Sequence, residues 1–134
     1  MTEKHMTEKQ EKKAAVIAFT AEGKRLAEKI ISKLQENGYQ CTDDQRTMGS
    51  VVSWAGEQFS AVQVLVFVGA AGIAVRAIAP WVKDKFTDPA VVVVDEMGKF
   101  VIPILSGHLG GANEFVRMLA EFLCAVTVIT TATD

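Results

Sequence analysis

The sequence is poor in the residues that build metal centres, disulfide scaffolds and membrane spans. Its 134 residues include two cysteines. Cys41 and Cys124 lie in apolar segments and form no CxxC pair, so two reduced, buried thiols are expected rather than a disulfide framework or a zinc site. Two histidines are present; His5 lies in the charged amino-terminal stretch, and no second ligand stands at a metal-binding spacing from His108. No apolar run reaches the roughly 18–20 residues of a membrane span, and the chain starts charged rather than signal-like. Positive charge is not in excess either: 14 basic residues face 16 acidic ones, for a net charge of −2. A duplex-DNA binder needs a concentrated basic face to neutralise phosphates. The one dense lysine cluster, Lys9, Lys12 and Lys13, is interleaved with Glu8 and Glu11. Neither nucleic acid nor membrane is an expected partner, no bound metal is expected, and the chain reads as cytoplasmic.

What the sequence does contain is material for a core. It is 49% hydrophobic and 22% charged, which excludes disorder over most of its length. Residues 1–13, with MTEK twice, are the exception and read as a disordered leader. Residues 14–134 read as one domain. The apolar run over 14–20 is that of a strand covered on both faces. Thr20 can cap a helix whose Leu26, Ile30, Ile31 and Leu34 recur at helical spacing, and Asn37-Gly38 can close it. A short strand over 39–42 and a polar loop over 43–48 follow; residues 51–61 fit helix or strand. Residues 62–68, 90–94, 100–105 and 126–130 read as further strands. A short helix runs on from 69–72 to Ile78 and is stopped by Pro80. Five turn-forming residues over 95–99 predict an antiparallel hairpin, and Pro103 predicts an edge or a bulge. A last helix carries Phe115, Val116, Leu119, Phe122 and Leu123 on one face. The alternation predicts a three-layer α/β fold, flavodoxin-like or Rossmann-like. Its sheet is mostly parallel, with helices on both faces and one antiparallel hairpin.

In open α/β sheets, ligands collect outside the carboxyl ends of the strands. Three segments follow strands and are expected to lie together there. In the first, Gly69, Ala70 and Gly72 let backbone N–H groups approach a ligand, and the helix start favours an anion. Arg76, one turn on, could reach a carboxylate. The same glycines would equally serve tight strand–helix packing, and Arg76 would equally serve as a solvated or salt-bridged side chain. The segment is neither a dinucleotide fingerprint nor a P-loop. In the second, Ser106, Gly107, His108, Gly110, Gly111 and Asn113 form a poor structural loop and a better site. The glycines clear space, Ser106 and Asn113 offer hydrogen bonds, and His108 is the one ordered residue that titrates near neutral pH. No nucleophile elbow accompanies Ser106, and His108 would also serve as a cap or packing residue. The third comprises Thr130, Thr131 and Asp134. Elsewhere, Glu114, Arg117 and Glu121 read as a charged helix face. Asp95-Glu96 reads as a hairpin turn or a carboxylate pair. Lys83, Asp84, Lys85 and Asp88 read as solvated, and Trp54 and Trp81 are too isolated for an aromatic cage.

Four stretches carry a resemblance: VGAAGIAVRAIAP at 68–80, KFTDPAV at 85–91, LSGHLGGANE at 105–114 and VITTATD at 128–134. In this order they resemble the amino-terminal part of the CbiG family, the cobalt-precorrin-5A hydrolases of the anaerobic route to cobalamin. The resemblance extends from about residue 14 to the end. It implies a hydrolase acting on a carbon–carbon bond, which opens a δ-lactone on the contracting corrin ring and releases acetaldehyde. It implies no organic cofactor, because cobalt is carried in the substrate, a cobalt-corrinoid intermediate. Family members continue past the TATD stretch into a linker and a separate carboxyl-terminal domain. That domain is an implied partner, and the chain reads as a fragment. The chemistry asks for a base, for oxyanion donors and for anion-binding groups. The candidates are His108, the N–H groups around 107–111, and the helix start at Gly69, Ala70 and Gly72 with Arg76. Ser106, Asn113, Thr130, Thr131 and Asp134 complete the candidate substrate contacts. Two other readings stand beside this one. One is a non-catalytic corrinoid-binding module, consistent with the shortage of titratable groups. The other is a generic nucleotide or flavin domain, weakened by the missing fingerprint.

Overall fold

Uninterrupted runs of small and β-branched residues form the centre of the sheet. The structure, a computed structural model, describes residues 12–42, 50–106 and 111–130. Its strands are β1 (Lys13–Ala18), β2 (Gln40–Thr42), β3 (Val64–Val68), β4 (Ala90–Val94), β5 (Phe100–Ser106) and β6 (Val126–Thr127). Its helices are α1 (Ala21–Glu36), α2 (Val51–Phe59), α3 (Ala71–Ile78) and α4 (Gly111–Leu123). The strand order is β2-β1-β3-β4-β5-β6. β1 pairs in parallel with β2 and β3, and β3 with β4. The β4–β5 pair is antiparallel, and β6 lies parallel to β5. β5 and β6 therefore run against the other four strands.

Strand alternation divides the core into two layers. Val16, Val66, Val92 and Val101 face α1 and α4, meeting Ile30, Leu34, Phe115, Val116 and Leu119. Ile17, Leu65, Phe67, Val91 and Val93 face α2 and α3, meeting Trp54, Ala74, Ala77 and Ile78. Each fully buried aliphatic side chain contributes about 1.5–3 kcal/mol. Trp54 packs edge-to-face on Phe67, with centroids 6.2 Å apart. Two helix starts are capped by hydroxyls: Thr20 accepts from the Gly23 N–H and Ser50 from the Ser53 N–H. Gly38, at φ +89°, closes α1 in the left-handed region.

The three-layer, mostly parallel fold and its single hairpin agree with the sequence reading. Residues 51–59, open to either reading, are helical because Trp54, Ala55 and Gln58 recur on one buried side. Pro103 sits at a bulge: register shifts between Val91 and Val92, leaving Ile104 unpaired. Four expectations are corrected. Lys12 and Lys13, assigned to the leader, join the sheet: Lys13 pairs with Gln40, and the Lys12 carbonyl accepts from the Gln40 N–H. Cys124 is exposed rather than buried, because it turns the chain out of α4 at φ +57°. Phe122 is exposed because it lies off the inward stripe of α4. Asp88 is buried, not solvated. His5 and the loop over 43–48 lie outside the described residues. No helix among the described residues is long and apolar enough to cross a membrane.

Candidate functional site

Reversal of β5 and β6 splits the expected site between two edges of the sheet. The carboxyl ends of β1, β3 and β4 define an upper edge: Val68 is in register with Ala18 and with Val94. The carboxyl end of β5 lies at the lower edge, because Ser106 is in register with Ala90, the first residue of β4. β6 follows β5, and the Val128 N–H extends that pairing by donating to the Val101 carbonyl. Four residue steps of about 3.3 Å separate the edges along β4, about 13 Å in all. Gly69, Ala70, Gly72 and Arg76 thus stand apart from Ser106, Gly111 and Asn113, while Thr130 follows a strand that starts at the upper edge beside Phe100. The expectation that all three segments meet at one edge is corrected. The antiparallel hairpin is the cause, since it inverts every strand end beyond it. Gly107, His108, Gly110, Thr131 and Asp134 lie outside the described residues.

At the upper edge the glycines take different parts. Gly69 has φ +152°, and a Cβ there would stand 3.3 Å from the Phe19 ring. Its N–H donates to the Val94 carbonyl at 2.8 Å. Conformation and packing both require glycine at this position. Gly72 is open: a Cβ would meet only Arg76 Nη1, at 3.9 Å. Ala70, the N-cap of α3, supplies no side-chain acceptor to the first turn. An open helix start with a guanidinium lying back over it is a weak anion seat. Close by, the Thr20 hydroxyl donates to Glu96 Oε1 at 2.6 Å. Asp95 organises the hairpin turn: Oδ1 accepts from the N–H groups of Lys99 and Phe100, and Oδ2 from Met97. Asp95-Glu96 is therefore a turn, not a catalytic carboxylate pair.

The lower edge collects more of the chain's distinctive residues. Asp88 enters β4 there, with Oδ2 accepting from the N–H groups of Lys83 (2.8 Å) and Asp84 (3.1 Å). This fixes the turn that presents Lys85 and Phe86, whose ring lies 5.4 Å from Lys85 Nζ. Between this turn and the carboxyl end of α2 runs a cleft of about 360 Å³, lined by Gly56, Phe59, Trp81, Lys83 and Asp88 among others. Trp81 lies against Gly56 and donates from Nε1 to the Val52 carbonyl at 2.9 Å. The sequence reading missed this cleft; the Asx turn at Asp84, four residues past Pro80, whose Oδ1 accepts from the Phe86 N–H, is its faint signal. Gly111 opens α4 with nothing within 4 Å of a Cβ position. Asn113 is buried in the first turn. Glu114, one residue on, faces Tyr39, whose phenol is pushed above its ordinary range chiefly by burial, with Glu114 and Cys41 adding to it. Among the described residues no cluster of three His, Cys, Asp or Glu side chains could hold a metal ion.

The arrangement has counterparts. A cobalt-precorrin-5A hydrolase of Salmonella typhimurium is 53% identical over 102 residues, covering 76% of this chain and 28% of that protein. One of Priestia megaterium is 41% identical over 131 residues, covering 90% of this chain and 35% of that protein. The chain thus spans about a third of the length of these curated relatives. A crystal structure of a cobalamin biosynthesis protein G homolog from Sulfolobus solfataricus superposes with a TM-score of 0.74 at 27% identity, over 90% of this chain and 37% of that one. The family described as Cobalamin synthesis G N-terminal matches residues 53–134. With more than half its length matched, this chain belongs to the Cobalamin synthesis G N-terminal family.

Proposed function

We propose that this chain forms the amino-terminal part of a cobalt-precorrin-5A hydrolase, and that the lower edge of its sheet handles the cobalt-corrinoid substrate. The observation that carries the reading is a convergence. Two family-like stretches, distant in sequence, meet at that edge through their described parts: 85–91 entering β4, and Leu105 and Ser106 leaving β5. A third, starting at Val128, runs beside β5 in the direction of the same edge. Relatives named cobalt-precorrin-5A hydrolase, sharing 53% and 41% identity, support a hydrolase that acts on a cobalt-precorrin.

In this mechanism His108 takes a proton from the water that attacks the lactone carbonyl. Backbone N–H groups around Gly107, Gly110 and Gly111 hold the oxyanion that forms. Ser106, Asn113, Thr130, Thr131 and Asp134 contact the opened ring, in which the lactone has become a carboxylate and a hydroxyl on the two-carbon unit. As that hydroxyl loses its proton, the carbon–carbon bond to the ring breaks, the unit leaves as acetaldehyde, and the ring keeps the electron pair and takes up a proton. Lys83 and Lys85 attract the carboxylates at the rim of the macrocycle. Arg76 and the open start of α3 lie an edge away and serve a different contact.

A second reading, that the chain binds corrinoid while catalysis needs polypeptide outside it, is favoured by one observation. Asp88, the buried carboxylate at this edge, is already committed to two backbone N–H groups. Acetaldehyde release separates the readings. In the intact enzyme His108→Ala should lower kcat by roughly 10²–10⁴ with little change in KM, and Lys85→Ala should raise KM. Near-normal turnover by His108→Ala rejects the base. A loss with Arg76→Ala as large as that with His108→Ala rejects the lower edge. Turnover by this 134-residue chain alone rejects the second reading.

A further inference from the structure

On one sheet face the outer wing, β6 and the start of β5, has no helix on it. α1 and α4 cover their face from β1 to β6: α1 packs on β1, β2 and β3, and α4 on β4, β5 and β6. On the opposite face, α2 and α3 pack on β1, β3 and β4 and reach β5 only at Ile102, Ile104 and Leu105, and no β6 residue joins their cluster. The side chains left uncovered there are apolar. Phe100 and Val126 are in register in a parallel pair and so point to the same face, with Val128 two residues further along. They are 42%, 58% and 36% exposed. Ile102 and Ile104 complete the strip, half-buried at its inner margin. β6 is also the edge of the sheet, so its outer N–H and C=O groups face away from the other strands. A contiguous apolar strip beside a bare edge marks an interaction surface.

We propose that this wing, formed by β5 and β6, docks the polypeptide that follows the shared region in the longer relatives. Those proteins share only 28% and 35% of their length with this chain, and the Sulfolobus solfataricus structure shares 37%. More than three fifths of each is therefore available to cover it. The family is defined as an amino-terminal region, so the remainder follows it. The last described stretch, 128–130, runs along β5 on this same wing. In the longer relatives, polypeptide tethered a few residues past the position of Val128 is held near the strip at high effective concentration. The inference rests on family membership and not on the hydrolase reading.

Hydroxyl-radical footprinting tests it through side-chain exposure, with no activity involved. The intact Salmonella typhimurium protein is compared with its own amino-terminal region, and separately a chimera carrying this chain in place of that region is compared with this chain alone. Phe100 and Val126, or the positions aligned with them, should be modified about tenfold more slowly in the longer proteins, while Phe86, 68% exposed on the lower-edge turn, keeps its rate. Val126→Lys with Val128→Lys in the chimera should abolish that protection, and the same pair in this chain alone reports whether the domain still folds. The intact relative gives an answer even if the chimera does not fold. Equal modification in long and short proteins overturns the proposal. So does protection already present in this chain alone that grows with concentration and coincides with a dimer mass, because a second copy is then the occupant.

Discussion

Ala90 and Ser106 stand opposite each other across the β4–β5 pair, so the first residue of one strand partners the last residue of the other. This pairing decides where the candidate site lies. It brings the end of β5 beside the turn that precedes β4, and away from the glycines that follow β3. The same inversion starts β6 at the upper edge, beside Phe100 and Val101, and points it toward the lower one.

Thr20 joins two elements through one hydroxyl, which accepts from the Gly23 N–H at 2.9 Å and donates to Glu96 at 2.6 Å. Thr20→Ala should destabilise the fold by about 1 kcal/mol, the usual cost of losing an N-cap. Thr20→Ser should recover most of it. Urea denaturation measures both, and equal losses for the two variants would show that the methyl group, not the hydroxyl, matters.

Gly56 lets Trp81 lie on α2: a Cβ there would stand 2.5 Å from the indole ring. Gly56→Val should cost about 1–3 kcal/mol through overpacking. It should also shift tryptophan emission to the red, as Trp81 loses its bond to the Val52 carbonyl. Unchanged emission would mean that the indole is not seated there.

Asp88→Ala removes the acceptor of two backbone N–H groups in a buried turn. A loss of about 1–3 kcal/mol is expected, with faster hydrogen exchange at the Lys83 and Asp84 amides. Asp88→Asn, which keeps an acceptor oxygen, should lose less. If all three proteins exchange these amides at one rate, the carboxylate does not hold the turn.

Tyr39 packs edge-to-face on Phe115 at 5.7 Å, and its pKa is raised above 10.0, first by burial and then by Glu114 and Cys41. The folded state therefore holds the phenol proton more tightly than the unfolded state. The stability that this supplies is fully present below the unfolded pKa of about 10 and is lost as pH rises through the folded value. Tyr39→Phe should fall off less steeply than the parent protein above pH 10.0. Parallel stability curves through that range would remove the linkage.

Much of this protein is determined locally and can be read from its sequence. Unbroken apolar runs such as 64–68 and 90–94 can be satisfied only between two helical layers. Thr20 and Pro80 bound helices by their own hydrogen-bonding and ring geometry, and 95–99 can only turn the chain back. The family-like stretches are also properties of the sequence. Other features depend on partners distant in the chain. Asp88 looks solvated among alternating charges, and becomes buried because Lys83 and Asp84 turn their N–H groups onto it. Phe122 repeats with the core residues of its helix yet lies off its inward stripe, with Lys33 Nζ of α1 5.2 Å from its ring. The separation of Arg76 and Gly72 from Ser106 is the largest such effect. Each segment follows a strand, and sequence alone assigns each to a strand's carboxyl end. Which edge of the sheet that end occupies is set by strand direction, and direction belongs to the ladder of hydrogen bonds between strands, not to any one of them.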